Sequence, residues 1–225
     1  MIQKLSFKFT SYWPQKFFCV AYYFERMRQG LHSSADIIIE RVTLSKTEYE
    51  AHGLKSWVTS EKELSDLHYY KGSIEEHSIE NSIEVDFANE LIGGGVLSVG
   101  LVQEEILFLV IPECLVSLPI CERMHSNEAI LLRGVERFVE YTGYKNSFKV
   151  SEGRFEERSI PRVITAINAL KMGKTHNHLQ FSPPALLREL NKAFIGFQLA
   201  EEKEKEKKRT VVTGKWGCGA FRGDP

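Results

Sequence analysis

VDFANELIGGGVLSVGLVQEEI, residues 85–106, is the stretch on which the reading of this chain turns. Its first residues close the run IEVDF (83–87), which reads as a strand because β-branched and aromatic residues dominate it. ANELIGGG follows as a loop ending on Gly93, Gly94 and Gly95. Residues 101–111 are rich in apolar side chains and start with acidic ones, as the first turn of a helix does. Glycines let a backbone take positive φ and approach a ligand, and consecutive N–H groups there can form an anion nest. Taken singly, a plain turn accounts for the glycines and a solvated first turn accounts for Glu104 and Glu105. Neighbours on a helix diverge by ~100°. The two glutamates therefore cannot easily straddle one scissile bond as acid and nucleophile; one acts while the other positions substrate. Asp86, at the strand end, is a third candidate carboxylate.

Outward from this block, strands alternate with helices. Residues 36–44, 127–135, 162–170 and 210–214 read as strands. Residues 16–29 place Phe17, Phe18, Val20, Ala21, Phe24 and Met27 at mostly helical spacing, with Gly30 as a stop. Residues 185–197 give the clearest helix. Leu186, Leu187, Leu190, Ala193, Phe194 and Phe197 share a face, and Pro183–Pro184 precede it. Residues 45–82 are polar and irregular, with a short helix around 46–52. The run EEKEKEKKR (201–209) mixes signs without apolar residues and reads as a solvated loop or helix extension. The alternation predicts an α/β layered domain.

Composition narrows the function. With 43% hydrophobic and 26% charged residues, the 225-residue chain can bury an ordinary core. A net charge of −1 argues against a broad nucleic-acid or anionic-membrane surface, so a polyanion would have to be recognised locally, in a cleft. Cys19, Cys114, Cys121 and Cys218 form no CxxC pair and read as reduced thiols. No apolar run reaches membrane-span length and no signal-peptide pattern opens the chain, which makes an intracellular protein the default. His176 and His178 read as a surface loop rather than a metal site, Trp57 and Trp216 as core. Ser98 in GVLSVG is not a nucleophile elbow. Neither metal nor cofactor is expected.

Gly93–Gly95, seven spacer residues and Gln103–Glu104–Glu105 together resemble the signature of the poly(ADP-ribose) glycohydrolases. VDFAN (85–89), EYTGY (140–144), RELNKAFIGF (188–197) and WGCGAF (216–221) are similar to that family's motifs, in the same order. The resemblance runs from about residue 16 to the end. It implies an α/β, macrodomain-like three-layer mixed sheet: a catalytic core over 73–225, with a helical N-terminal accessory region over 1–72. It implies hydrolysis of ribose–ribose O-glycosidic bonds, releasing ADP-ribose. Glu105 then corresponds to the general acid and Glu104 to the carboxylate that holds the reacting ribose. Asp86 and Asn89 line that pocket. Gln103, Ile74 and Glu75 correspond to adenine-pocket positions, and Tyr144 to the stacking aromatic. Gly217, Cys218, Gly219, Ala220 and Phe221 form the diphosphate loop, and the Gly93–Gly95 loop completes the substrate wall. A glycosidic leaving oxygen needs a proton, which Glu105 would supply.

The resemblance also implies a monomer acting in the nucleus or cytoplasm on poly(ADP-ribose) carried by modified proteins, without direct DNA or RNA binding. The alternative is an ADP-ribose-binding module without turnover. Lys215, Arg222 and Asn168 depart from the family pattern, which usually has Asn, a small residue and Asp there. The family continues past the WGCGAF loop with a helix and a strand. The chain is therefore expected to be incomplete, its diphosphate loop mobile and apolar residues of the 185–197 helix exposed.

Overall fold

The computed structural model describes residues 13–33, 35–77, 81–151, 160–173, 177–198 and 209–225; His176 and 201–208 lie outside the described residues. A five-stranded mixed sheet organises them. Its strands are β1 (Ile38–Thr43), β2 (Ser82–Phe87), β3 (Glu128–Val135), β6 (Arg162–Ile167) and β7 (Thr210–Val212), in spatial order β1–β3–β6–β2–β7. β4 (Tyr141–Thr142) and β5 (Lys149–Val150) form a separate small ribbon. β2 runs parallel to both β6 and β7, while β3 is antiparallel to β6 and β1.

The central strands are buried on both faces, as a three-layer arrangement requires. On β3, Ile130 and Leu132 enter one core and Ala129 and Leu131 the other. Ile164 and Ala166 of β6 join the first, Val163 and Ile167 the second. The first core is roofed by α4 (Gln103–Val110) and, outside it, α1 (Trp13–Arg28); a short α5 (Ser117–Ile120) follows α4. The second is roofed by α6 (Pro183–Gln198), with α2 (Lys46–Ala51) and α3 (Leu54–Val58) nearby. Among the described residues no helix is long and apolar enough to cross a membrane.

All five expected strands of the sheet form, but two end early. β6 stops at Ile167 because α6 captures the next few residues. Arg188 donates to the Asn168 carbonyl at 2.6 Å, and the Leu170 N–H donates to Glu189 Oε2 at 3.2 Å. β7 stops at Val212, and the Gly214 carbonyl turns back to accept from the Trp216 N–H. The helix expected from 101 begins at Gln103, since Val102 is extended and its N–H is taken by Glu105.

Two helices bury faces other than the expected ones. α1 leaves Phe17 and Phe24 exposed (70% and 64%), and its inward row is Lys16, Cys19 and Arg26. Those cations tolerate burial because carbonyl oxygens receive them: Arg26 donates to Leu31 O, and Lys16 to three carbonyls of the loop between β2 and α4. α6 packs Phe194 and Phe197 of the expected face against the second core, but its most buried residues are Asn191, Lys192, Ile195 and Gly196, and Leu186 and Leu190 are left part-exposed. Lys192 donates to the His125 and Glu128 carbonyls, and Asn191 accepts from the Trp57 indole at 3.0 Å. A Cβ on Gly196 would lie 2.6 Å from Ile167, so glycine sets the close approach of α6 to β6.

Candidate active site: two glutamates held by a glycine loop

α4 aims its first turn into the loop that follows β2. Glu104 and Glu105 are buried, at 3% and 7% exposure, so this is no solvated first turn. Glu104 Oε2 accepts from the Asn89 N–H at 2.9 Å and Oε1 from the Gly93 N–H at 2.7 Å. Glu105 Oε1 accepts from the Gly95 N–H at 2.9 Å and Oε2 from the Val102 N–H at 2.8 Å. Each carboxylate is thus chelated by two backbone donors of one loop. The anion nest expected of the glycines does exist, but its anions are the protein's own glutamates. The Gly94 N–H is spent as well, on Leu91 O.

Glycine is required here for steric reasons. Gly94 has φ +48, and a Cβ there would meet Glu104 Oε2 at 2.6 Å and Glu105 Oε1 at 2.7 Å. A Cβ on Gly100 would meet Glu105 Oε1 at 2.5 Å. The loop is closed from outside by α1. Lys16 Nζ donates to the carbonyls of Val96, Ser98 and Gly100 at 2.8, 2.8 and 2.7 Å. Its charge also faces Glu105, although burial lowers the lysine pKa overall. An accessory helix therefore fixes the loop that fixes the glutamates.

Asp86 lies beneath them on β2, fully buried, with neither carboxyl oxygen hydrogen-bonded among the described residues. Burial first, then the charges of Glu104, Glu105 and Glu75, hold it well above the usual carboxylate range. Burial, with a smaller contribution from Glu105, pushes Glu104 up to about 8. Burial and the crowding of carboxyls thus favour the neutral forms of Asp86 and Glu104. Glu84, on the same face of β2, is balanced by Arg162 at 2.6 Å.

The remaining expected residues surround this centre. Gln103 spends its amide on β2, accepting from the Phe87 N–H at 2.8 Å and donating to Val85 O at 3.3 Å, so it ties α4 to the strand. Ile74 and Glu75 form a short 3-10 turn. Glu75 is buried and faces the Tyr141 hydroxyl at 3.5 Å, and burial raises its pKa. Tyr144 is 48% exposed; burial of its hydroxyl, then the charges of Glu105 and Glu75, raise its pKa.

The loop at 215–223 sits at the ends of β2 and β6. Trp216 Nε1 donates to Ile167 O at 3.0 Å, the Met172 N–H to Phe221 O at 2.8 Å, and the Gly223 N–H to Gly217 O at 2.8 Å. The loop is thus fastened by its own turn, by the end of β6 and by the segment after it. Among the described residues, the N–H groups of Gly219, Ala220 and Phe221 have no hydrogen-bond partner, which leaves three consecutive donors for an anion.

Sequence reasoning missed Lys16, Gly100 and Tyr141. Lys16 carries no local signal, since its three acceptors lie about eighty residues away. Gly100 stands in the quoted block, four residues before Glu104, and its spacing was legible.

Comparison with known proteins matches residues 54–225 to a family model described as "Poly (ADP-ribose) glycohydrolase (PARG), Macro domain fold". The chain is similar to "Probable poly(ADP-ribose) glycohydrolase 2" of Arabidopsis thaliana, 32% identical over 251 aligned positions covering 92% of the chain and 48% of that protein. It is 42% identical over 156 positions to "Poly(ADP-ribose) glycohydrolase 1" of Caenorhabditis elegans, covering 63% of the chain and 20% of that protein. Among solved structures, the poly(ADP-ribose) glycohydrolase of Deinococcus radiodurans in complex with ADP-ribose aligns with a TM-score of 0.38 at 19% identity. That alignment covers 64% of this chain and 56% of that one. The chain spans about half or less of the length of these two curated relatives.

Proposed function

Because the chain belongs to the poly(ADP-ribose) glycohydrolase family, with its macrodomain fold, we propose that its glutamate pair hydrolyses ribose–ribose O-glycosidic bonds of poly(ADP-ribose) and releases ADP-ribose. One observation carries this reading: two adjacent buried glutamates, each chelated by two backbone N–H groups of the same glycine loop. Glu105 gives a proton to the leaving hydroxyl oxygen as the glycosidic C–O bond breaks. It then takes a proton from the water whose oxygen joins the ribose carbon. Glu104 accepts hydrogen bonds from the hydroxyls of the reacting ribose and keeps it in register. A single acid–base residue suits side chains that diverge from one helix turn better than a flanking pair does.

The free N–H groups of Gly219–Phe221 support a diphosphate seat, and half-exposed Tyr144 supports a stacking face for adenine, with Ile74 and Glu75 at its edge. The working substrate is poly(ADP-ribose) attached to modified proteins, in the nucleus or cytoplasm, met by a monomer. The test is direct: incubate the chain with purified poly(ADP-ribose), follow release of ADP-ribose chromatographically, and titrate ADP-ribose calorimetrically. Release together with binding supports the reading. Binding without release points to a recognition module, and neither removes the function altogether.

A further inference from the structure

Lys192 is among the largest fully buried side chains of the chain, and the mechanism above gives it no task. It lies on α6, where an apolar side chain of similar length would fill the space without the cost of a buried cation. The carboxylates that face it are already engaged, Glu128 by Arg41 and Glu189 by Arg188, and Lys192 makes no ion pair among the described residues. Its ammonium is spent on two backbone carbonyls, those of His125 and Glu128.

Those carbonyls belong to residues 122–128, the segment that enters β3, and a second cation grips the same segment. Arg41 of β1 donates to the carbonyls of Glu122 and Arg123 and to Glu128 Oε2. The segment also closes on itself. The His125 N–H donates to Glu128 Oε2 at 2.8 Å, and the Glu128 N–H to the His125 carbonyl at 3.2 Å. Its other side meets the loop after β2. The Met124 N–H donates to the Glu90 carbonyl at 2.7 Å, and Arg123 pairs with the Glu90 carboxylate. Asn89, the chain neighbour of Glu90, gives its own N–H to Glu104 Oε2 at 2.9 Å. A continuous path of hydrogen bonds and backbone thus runs from α6 to Glu104.

We propose that Lys192 and Arg41 are positioning residues for Glu104, acting through the 122–128 segment and Asn89. The proposal rests on the hydrolase reading, in which Glu104 holds the reacting ribose. The arrangement parallels that of Lys16. That lysine grips the carbonyls of Val96, Ser98 and Gly100, which lie between the Gly95 and Val102 N–H groups that hold Glu105. Each glutamate therefore has its own buried lysine, one from α1 and one from α6, on opposite faces of the sheet. Hydrogen bonds from a charged donor are roughly twice as strong as neutral ones, which suits the fixing of a backbone segment better than the filling of a core.

The experiment is a double-mutant cycle on the full 225-residue chain, read as ADP-ribose affinity by calorimetry, with a thermal melt of every variant. Lys192→Met and Arg41→Met should each weaken ADP-ribose binding ~10-fold, the worth of one hydrogen bond to the ribose. In a Glu104→Ala background no carboxyl is left to misplace, so both substitutions should change affinity by less than ~2-fold. Equal losses in the two backgrounds would make both cations general supports of the fold and overturn the proposal. Unchanged affinity in the Glu104 background would overturn it as well. Arg41 lies at the surface, so its replacement leaves the core intact. A Lys192→Met chain without a cooperative melt would assign that lysine to folding and overturn its part, and the Arg41 cycle then decides the rest. A parent chain that fails to bind ADP-ribose overturns the function reading and the proposal with it, whereas additive losses in a parent that binds overturn the proposal alone.

Discussion

At the scale of single residues, the site is defined by side chains that glycine lacks. Gly94 and Gly100 each leave room for a glutamate oxygen that any Cβ would strike. Gly94→Ala and Gly100→Ala should therefore displace the carboxylates and lower kcat by ~10²-fold or more, since misplacing a reacting group by about 1 Å costs that much. Steady-state kinetics on each variant would show it. Wild-type rates would mean the loop yields without moving the glutamates. Arg222 shows the opposite case. It has φ +62, a conformation that costs an L-residue ~1–2 kcal/mol. Arg222→Gly should stabilise the chain by about 1 kcal/mol, a rise of ~2–4 °C in Tm. An unchanged or lower melting temperature would show that the arginine side chain offsets its strain. The catalytic block and the oddity of Arg222 were both legible in the sequence. The reason for Arg222 was not, because φ is a property of the folded turn.

At the scale of elements, the sheet was legible and the helix faces were not. Each central strand is buried on both sides, so its β-branched run marks it wherever it sits. Helix faces depend on which polar groups find partners. α1 turns Lys16 and Arg26 inward because carbonyls from the glycine loop and from Leu31 receive them, and that leaves Phe17 and Phe24 outside. Apolar periodicity cannot register such long-range acceptors. The same long-range contact makes α1 a functional element. Lys16→Met should leave the Val96, Ser98 and Gly100 carbonyls without their donor, each loss of a charged hydrogen bond costing ~1–3 kcal/mol. The expected result is a lower kcat with a smaller change in ADP-ribose affinity, because the carbonyls Lys16 holds lie between Gly95 and Val102, which bind Glu105, whereas Asn89 and Gly93 hold Glu104. Equal loss in both would assign Lys16 to general folding.

At the scale of the whole molecule, the buried acidic cluster ties stability to pH. Glu104 rises from its ordinary 4.5 to about 8 and Asp86 rises well above 3.8, so the folded chain holds protons that the unfolded chain has released. Stability must then be greatest below about pH 4.5 as far as these groups are concerned, and fall as pH rises toward 8. Lys192, lowered to about 7, acts oppositely above that pH, so the carboxyl contribution is read below pH 7 as the difference between the parent chain and Asp86→Asn. Thermal melting should show Tm declining across that window, with a shallower decline in Asp86→Asn. A flat or rising Tm would mean the cluster is ionised in the folded chain.

The same cluster frames the central claim, that Glu105 carries the proton and Glu104 holds the ribose. It is tested most directly by single-turnover release of ADP-ribose from poly(ADP-ribose) by Glu105→Gln, with ADP-ribose binding measured on the same preparation. The glutamine keeps the size of the side chain and one acceptor for the Gly95 or Val102 N–H, but it cannot deliver and recover a proton. The account predicts binding within about threefold of wild type and a rate lower by ~10²–10⁴-fold. Hydrolysis at near the wild-type rate by a variant that binds normally would contradict it.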